Sequence, residues 1–453
     1  MTVVAANPAA IQLPEWRQKE VPGLALAAED RALAAQLRAA NRLLIDELRG
    51  GLRVSARSWV GVVRFSHFEV QVRPKLAGDN LGLVGLLDYV GGLGRLRRYK
   101  ASEVTSLAAG GDSLFDLIAL LFADACERLI RGGILSDYRE VERDLPMVRG
   151  RVLADKQVIR RFGRVDRLEC RYDEYLTDIL DNQILAAALA LCGKRVRNPG
   201  ITLRIRRLQK IFFEACSSEG VDFRKARQDV YYYRMNEVYR EPHQLAFLIA
   251  DGLGVSDLYG GQSLRSFAFL LDMNRLFELF VAKWITHLFQ GSHVRVLRQK
   301  KDWSIIRNAA DEAPFKSVIP DLLLESRSPQ ISRLPVDAKY KIYDERHVSS
   351  SDVYQSFLYA FAYGSRKQDY LPSAFLIYPA PAAGGTPTRL HIRRHEGGAG
   401  AEIVAMGIYI PGLLKEVEAA QSAPLALQVR DALLARLRAS AHGGITTSRT
   451  PNG

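Results

Sequence analysis

The sequence predicts a multidomain α/β (α+β) protein, and three observations carry that expectation. From Ser263 onward the apolar pattern runs helix, strand, strand, strand, helix, strand, the alternation expected of an α/β core. Residues 60–75, VGVVRFSHFEVQVRPK, place β-favouring residues on both sides of Ser66-His67, which reads as a hairpin. Residues 113–253 instead repeat apolar side chains at helical spacing.

In chain order, residues 1–110 read as an N-terminal mixed β/α domain. A helix is expected over 29–48, stopped by Gly50-Gly51. The hairpin follows, with Pro74 ending its second strand. Residues 91–100, GGLGRLRRYK, are basic and glycine-rich. Residues 111–260 form a mainly helical middle region, with helices at 113–129, 181–192 and 201–216 and an arginine-rich stretch at 144–164. A linker is expected near 252–261. Residues 261–439 should hold a mixed sheet flanked by helices. Its first element is an apolar helix over 267–289. Strands follow at 294–298, 318–325 and 334–342, then a helix at 351–363 and a short buried strand at 374–378. Residues 440–453 are small and polar and are expected to be a disordered tail.

Composition bounds the function. The 453 residues are 48% hydrophobic and 25% charged, enough to bury more than one core. Lys and Arg number 63 against 50 Asp and Glu, a formal charge of +13. That excess fits an anionic partner such as nucleic acid, or a soluble protein that is merely basic. The four cysteines include no CxxC pair, which argues against structural zinc and fits a reducing cytoplasm. No segment has a secretory signal pattern or the ~18 apolar residues of a membrane span. There is no G-x-x-x-x-G-K-[ST] phosphate loop, so nucleotide hydrolysis would have to come from another protein.

The residues that could carry chemistry cluster late in the chain. Pro320-Asp321 opens one strand-like run, and Asp337-Ala338-Lys339 lies in the next. Side chains alternate along a strand, so Asp337 and Lys339 share a face. If the turn at 326–333 pairs the two strands, three charged groups converge. Two carboxylates can hold magnesium through oxygen, leaving positions for water and phosphate, and a lysine beside them can orient the water or stabilise developing charge. The same charges could instead sit on an exposed edge strand. Gln355 and Tyr359 are four apart on one helix face. Gln355 either has a buried partner or faces water at the helix boundary. Glu278 either pairs with Arg275 on an exposed edge or points at the acidic site. Lys341 shares the face of Lys339 and could touch phosphate or be solvated.

As an ordered set, Glu278, Pro320-Asp321, Asp337-Ala338-Lys339 and Gln355-xxx-Tyr359 resemble the PD-(D/E)xK nucleases with a QxxxY helix. The words MNRLFELFV, IPDLLL, VDAKYK, DVYQSFLYAFAY and FLIYP, with LPMVRGRV and YDEYLTDILDNQILAAAL upstream, resemble the McrC family. Its members are nuclease subunits of McrBC-type modification-dependent restriction systems. The likeness spans about residues 55–415.

The resemblance implies a C-terminal restriction-endonuclease-like domain. The part ahead of it would dock on an McrB-like hexameric AAA+ GTPase, stimulating hydrolysis of the GTP the partner uses. The substrate would be double-stranded DNA with modified cytosine. Asp321, Asp337 and the Ala338 carbonyl would hold magnesium, and Lys339 would position or activate water. Glu278 would support the site as a further acidic residue. Gln355 and Tyr359 would support it or contact DNA. Two other readings stand beside this one: a non-catalytic activator of a partner NTPase, and a stand-alone repair or recombination nuclease. The arginine-rich stretches at 95–100, 149–164 and 195–207 are candidates for phosphate or partner contacts, or are solvated faces.

Overall fold

A computed structural model describes residues 9–75, 80–91, 114–163, 166–253, 267–326, 331–341, 343, 348–364, 371–383, 386–393, 395, 399–419 and 424–439. The basic run at 95–100, the linker expected near 252–261 (from residue 254) and the tail at 440–453 lie outside them.

The N-terminal part contains β1 (Ala9–Pro14), β2 (Gln18–Pro22), α1 (Asp30–Ala39), β3 (Leu43–Leu48), β4 (Gly51–Ala56), β5 (Trp59–Arg64) and β6 (Phe68–Arg73). The expected hairpin is present: β5 and β6 pair antiparallel around Ser66-His67. The helix expected over 29–48 is not continuous. It ends at Ala39, Asn41 takes a left-handed conformation at φ 51°, and 43–48 becomes a strand paired with β4. Asn tolerates that region better than other non-glycine residues and so stops the helix. Leu43 and Ile45 then bury by period two.

Next come α2 (Asn80–Gly91), α3 (Leu114–Arg131), β7 (Asp137–Leu145), β8 (Arg151–Val152), α4 (Ala154–Arg161), β9 (Leu168–Leu176), α5 (Leu180–Arg195), α6 (Pro199–Ala215), α7 (Phe223–Asp229) and α8 (Arg240–Leu253). The three expected helices are α3, α5 and α6. Asn198 caps α6 by accepting from the Gly200 and Ile201 amides, with Pro199 at the first helical position. The middle region also holds an antiparallel sheet ordered β7-β9-β8, which helical spacing did not anticipate. The arginine-rich stretch supplies β8 and α4, and its charges are largely spent inside this unit. Arg161 pairs with Asp144, and Lys156 pairs with Glu142.

The C-terminal part runs β10 (Phe267–Asp272), α9 (Met273–Leu288), β11 (Val294–Arg298), β12 (Asp302–Arg307), β13 (Pro314–Val318), β14 (Leu322–Ser326), β15 (Ser332–Ala338), α10 (Ser350–Tyr363), β16 (Ser373–Pro379), β17 (Thr388–Arg393), β18 (Ala399–Ile408), α11 (Ile410–Ala419) and α12 (Pro424–Ala439). The apolar run 267–289, expected as one helix, divides at Asp272. That carboxylate accepts from the Asn274 amide and starts α9. The residues before it form β10, which pairs antiparallel with β5 in a sheet ordered β1-β6-β5-β10. Gly61 makes this approach feasible. It has φ 149°, and a Cβ there would lie 2.1 Å from the Phe269 carbonyl oxygen. A strand from beyond the expected boundary at 261 thus completes the N-terminal sheet.

The large mixed sheet is ordered β11-β14-β15-β16-β18-β17. Its first three strands are antiparallel, and β15, β16 and β18 are parallel neighbours. Alternation sorts its side chains. Leu322, Leu324, Leu334, Val336, Ala338, Phe375 and Ile377 join Phe277 and Phe280 of α9 and Leu433 of α12 in one core. Leu323 faces the other way, onto Tyr359 and Tyr363 of α10. Among the described residues the cysteines are buried and unpaired, and no helix is long and apolar enough to cross a membrane.

Candidate active site

The site grows from a local rule. Ala338 and Val336 belong to the α9 face, so Asp337 and Lys339, one residue out of phase, belong to the α10 face. Asp321 lies in the turn just ahead of β14 rather than within the strand. Its Oδ2 accepts the Ala338 amide at 2.8 Å. One backbone bond therefore ties the Pro320-Asp321 turn to the strand that carries Asp337. Lys339, just past β15, is fixed by its own amide to the Ile377 carbonyl at 2.9 Å. Its Nζ reaches Asp337 Oδ2 at 3.0 Å.

The electrostatics of the site are set by two close carboxylates and one ammonium. Asp337 is 2% exposed. Burial, then the neighbouring Asp321 charge, pushes its carboxyl well above the usual carboxylate range. Its Oδ2 contacts the lysine charge but lacks a well-directed hydrogen bond. Burial alone would lower Lys339, yet Asp337 and then Asp321 hold it above its ordinary value, so it stays charged. Two carboxylates against one ammonium leave an excess of negative charge, and a hard divalent cation fits that donor set. Magnesium commonly takes one or two carboxylates and fills its octahedron with water and phosphate. Among the described residues no group of three or more His, Cys, Asp or Glu is placed to hold a metal. The fit therefore rests on the two aspartates and main-chain oxygen.

The remaining candidates fall into place unevenly. Glu278 of α9 is half-buried, not a fully exposed edge. Burial, then the Asp321 charge, raises its pKa while Lys339 opposes the rise. It borders the site without joining a three-carboxylate cluster. Gln355 donates to the Tyr359 hydroxyl at 2.8 Å, and that hydroxyl donates to the Ile319 carbonyl at 2.9 Å. The pair buttresses the turn that presents Asp321. Tyr359 is buried, with its hydroxyl engaged by Gln355 and Ile319. Lys341 is neither free for phosphate nor merely solvated. It is ion-paired with Asp352 of α10 at 2.7 Å, and Asp352 also accepts from Ser349 and Tyr343.

Sequence reading missed two site neighbours. Asp352 gave no signal beyond its place in the first turn of a helix. Glu15, just after β1, is fully buried. Its Oε1 accepts from the Tyr340 hydroxyl at 2.6 Å and from the Lys75 amide at 2.7 Å. Tyr340 follows Lys339 directly and packs on Phe277 of α9, ring centroids 5.7 Å apart.

Comparison with known proteins gives a consistent picture. Over residues 54–379 the chain matches the family model described as McrBC 5-methylcytosine restriction system component. Among solved structures it is similar to a chain of the refined half-complex from the tetradecameric assembly of Thermococcus gammatolerans McrB AAA+ hexamers with bound McrC. The TM-score is 0.55 at 18% identity, covering 91% of this chain and 100% of that one. A chain of the Thermococcus gammatolerans McrBC complex solved by cryo-EM also matches, with TM-score 0.43, 20% identity, and 62% and 88% of the two chains covered. No curated protein matches. The first structural likeness concerns the fold, and the family match spans most of the sequence: the chain belongs to the McrBC 5-methylcytosine restriction system component family.

Proposed function

We propose that this chain is the DNA-cutting subunit of its restriction system. In this reading it is a magnesium-dependent PD-(D/E)xK endonuclease that acts on double-stranded DNA carrying modified cytosine. It docks on a hexameric AAA+ GTPase and stimulates it. The observation that carries the nuclease reading is the bond from the Ala338 amide to Asp321 Oδ2. It brings Asp321 from the turn ahead of β14, Asp337 from β15 and one charged lysine to a single end of the sheet. A structural ion pair needs no second carboxylate, whereas a magnesium site commonly uses one or two.

Asp321 and Asp337 would hold the cation, with the Ala338 carbonyl as a further oxygen donor. When bound, magnesium supplies Lewis-acid stabilisation of the phosphate and a more acidic water. Lys339 stays protonated, orients the attacking water and stabilises negative charge developing on the phosphate. Tyr359 and Gln355 keep Asp321 in register. Glu278 adds negative potential at the rim. Docking falls to the part of the chain ahead of the nuclease sheet. Tyr138, Met147, Val148, Ile159, Phe162 and Tyr175 of the β7-β9-β8 unit expose large apolar surface, which supports a partner interaction there.

The test is cleavage of methylated and unmethylated plasmid by the full chain, with magnesium or EDTA, with and without the AAA+ partner and GTP. Cutting that requires magnesium, partner, GTP and methylation together supports the reading. Cutting with magnesium alone indicates a stand-alone nuclease. Stimulated GTP hydrolysis without cutting indicates an activator.

A further inference from the structure

Both roots of the β12–β13 hairpin end on Asp321. On one side the Gln299 amide donates to the Asp321 carbonyl at 2.9 Å. Gln299 holds a left-handed conformation at φ 42°, which a non-glycine residue adopts only when its surroundings dictate it. On the other side β13 runs into Ile319, whose carbonyl is held by Tyr359. The hairpin packs inward through Ile305 and Ile306, beside Tyr359, Tyr363 and Leu323. It therefore lies over the same face of the sheet as Asp337 and Lys339. Outward it exposes Trp303 at 52% and Phe315 at 72%.

The lysines around the site divide into two sets. Lys339 and Lys341 are spent on Asp337 and Asp352. Lys300, Lys301 and Lys316 are exposed, and among the described residues none is in an ion pair. Lys300 and Lys301 immediately follow the residue bonded to Asp321. At about 3.8 Å between successive Cα atoms, both backbones stay within one or two nucleotide lengths of the aspartate. Any phosphodiester cut there has neighbouring phosphates within their reach.

We propose that the β12–β13 hairpin is the DNA grip of the nuclease. Lys300 and Lys301 contact the phosphates flanking the scissile bond, and Trp303 and Phe315 pack against the same strand. The inference rests on the nuclease reading and adds to it the surface that takes the substrate. The partner is double-stranded DNA rather than a protein because the unpaired cations sit beside the cutting carboxylates.

The test is binding of a labelled DNA duplex to the full chain in EDTA across a salt series. Wild type is compared with Lys300→Ala/Lys301→Ala, Trp303→Ala/Phe315→Ala and a control, Lys210→Ala/Lys225→Ala, on the middle helices. Each phosphate contact contributes about −0.9 to the slope of log K against log salt, so losing two should flatten it by about 1.8. Between ~50 and ~200 mM salt, wild type should then lose about tenfold more affinity than the double lysine variant. The aromatic variant should bind more weakly at unchanged slope, and the control should match wild type.

An unchanged slope in the double lysine variant would overturn the proposal, as would absence of salt-dependent binding by wild type. So would normal DNA binding combined with lost engagement of an AAA+ hexamer, which would make the hairpin a protein surface. Parallel cleavage by Asp337→Ala separates the two readings. If it still cuts while the lysine variant loses its slope, the grip stands and the assigned centre falls.

Discussion

Two sheets in this chain bury charge in opposite ways. In the N-terminal sheet, Arg64 of β5 and Glu69 of β6 are both buried and meet at 2.7 Å. The guanidinium also donates to the Arg195 carbonyl, and Arg197 lies 3.6 Å from the same carboxylate. Burial lowers the Arg64 pKa while Glu69 opposes the change. With the Asp116 carboxylate also acting on this cluster, its charge is matched where it stands. In the large sheet, Asp321 and Asp337 are drawn together, with Lys339 offsetting part of their mutual repulsion. A buried pair that is complete fixes structure. A partly buried set left one positive charge short is a place for something to bind.

The strongest test of this contrast removes the uncompensated side. Asp337→Ala or Lys339→Ala should lower cleavage by about a thousandfold or more, with far-UV circular dichroism unchanged. Asp337→Asn should abolish cutting while raising the thermal midpoint of the metal-free chain, because it relieves like-charge repulsion. A lower midpoint would mean that Asp337 serves the fold. On the compensated side, Glu69→Gln should destabilise by about 3–5 kcal/mol in urea unfolding, since it strands a buried guanidinium. A loss below ~1 kcal/mol would erase the distinction.

The link between the sheets gives an intermediate effect. Tyr340→Phe deletes the bond to Glu15 and should cost about 1.5–3 kcal/mol. It should also speed hydrogen exchange at the Lys339 and Lys341 amides in the metal-free chain. Unchanged exchange would mean that the two sheets are not coupled there. Tyr359→Phe is the mildest, at about 1 kcal/mol, with cleavage reduced through kcat and not KM. A KM effect would instead place Tyr359 on the DNA.

Legibility followed the range of the interaction. The β5–β6 hairpin, α3, α5, α6, α10 and β16 were readable because alternation, helical spacing and caps act within a few residues. Gln355 and Tyr359 are one helical turn apart, so their partnership was visible too. Two of the misread segments, 43–48 and 267–272, are short apolar runs that satisfy either period. Each became a strand because a partner arrived from elsewhere, β4 for one and β5 for the other. Lys341 looked available because its partner Asp352 comes from the start of the next helix.

What the sequence determined by itself is the ordered set of Asp321, Asp337, Lys339, Gln355 and Tyr359, and the shared face of Asp337 and Lys339. Strand and helix periods are properties of the local backbone. Only the tertiary structure decided that Asp321 is bonded to the Ala338 amide, that Lys341 is spent on Asp352, and that the site strand leans on Glu15. Glu15 and Tyr340 are 325 residues apart in sequence. Contacts of that separation depend on how sheets and helices bury their apolar faces together, and no local pattern encodes which polar pair then meets.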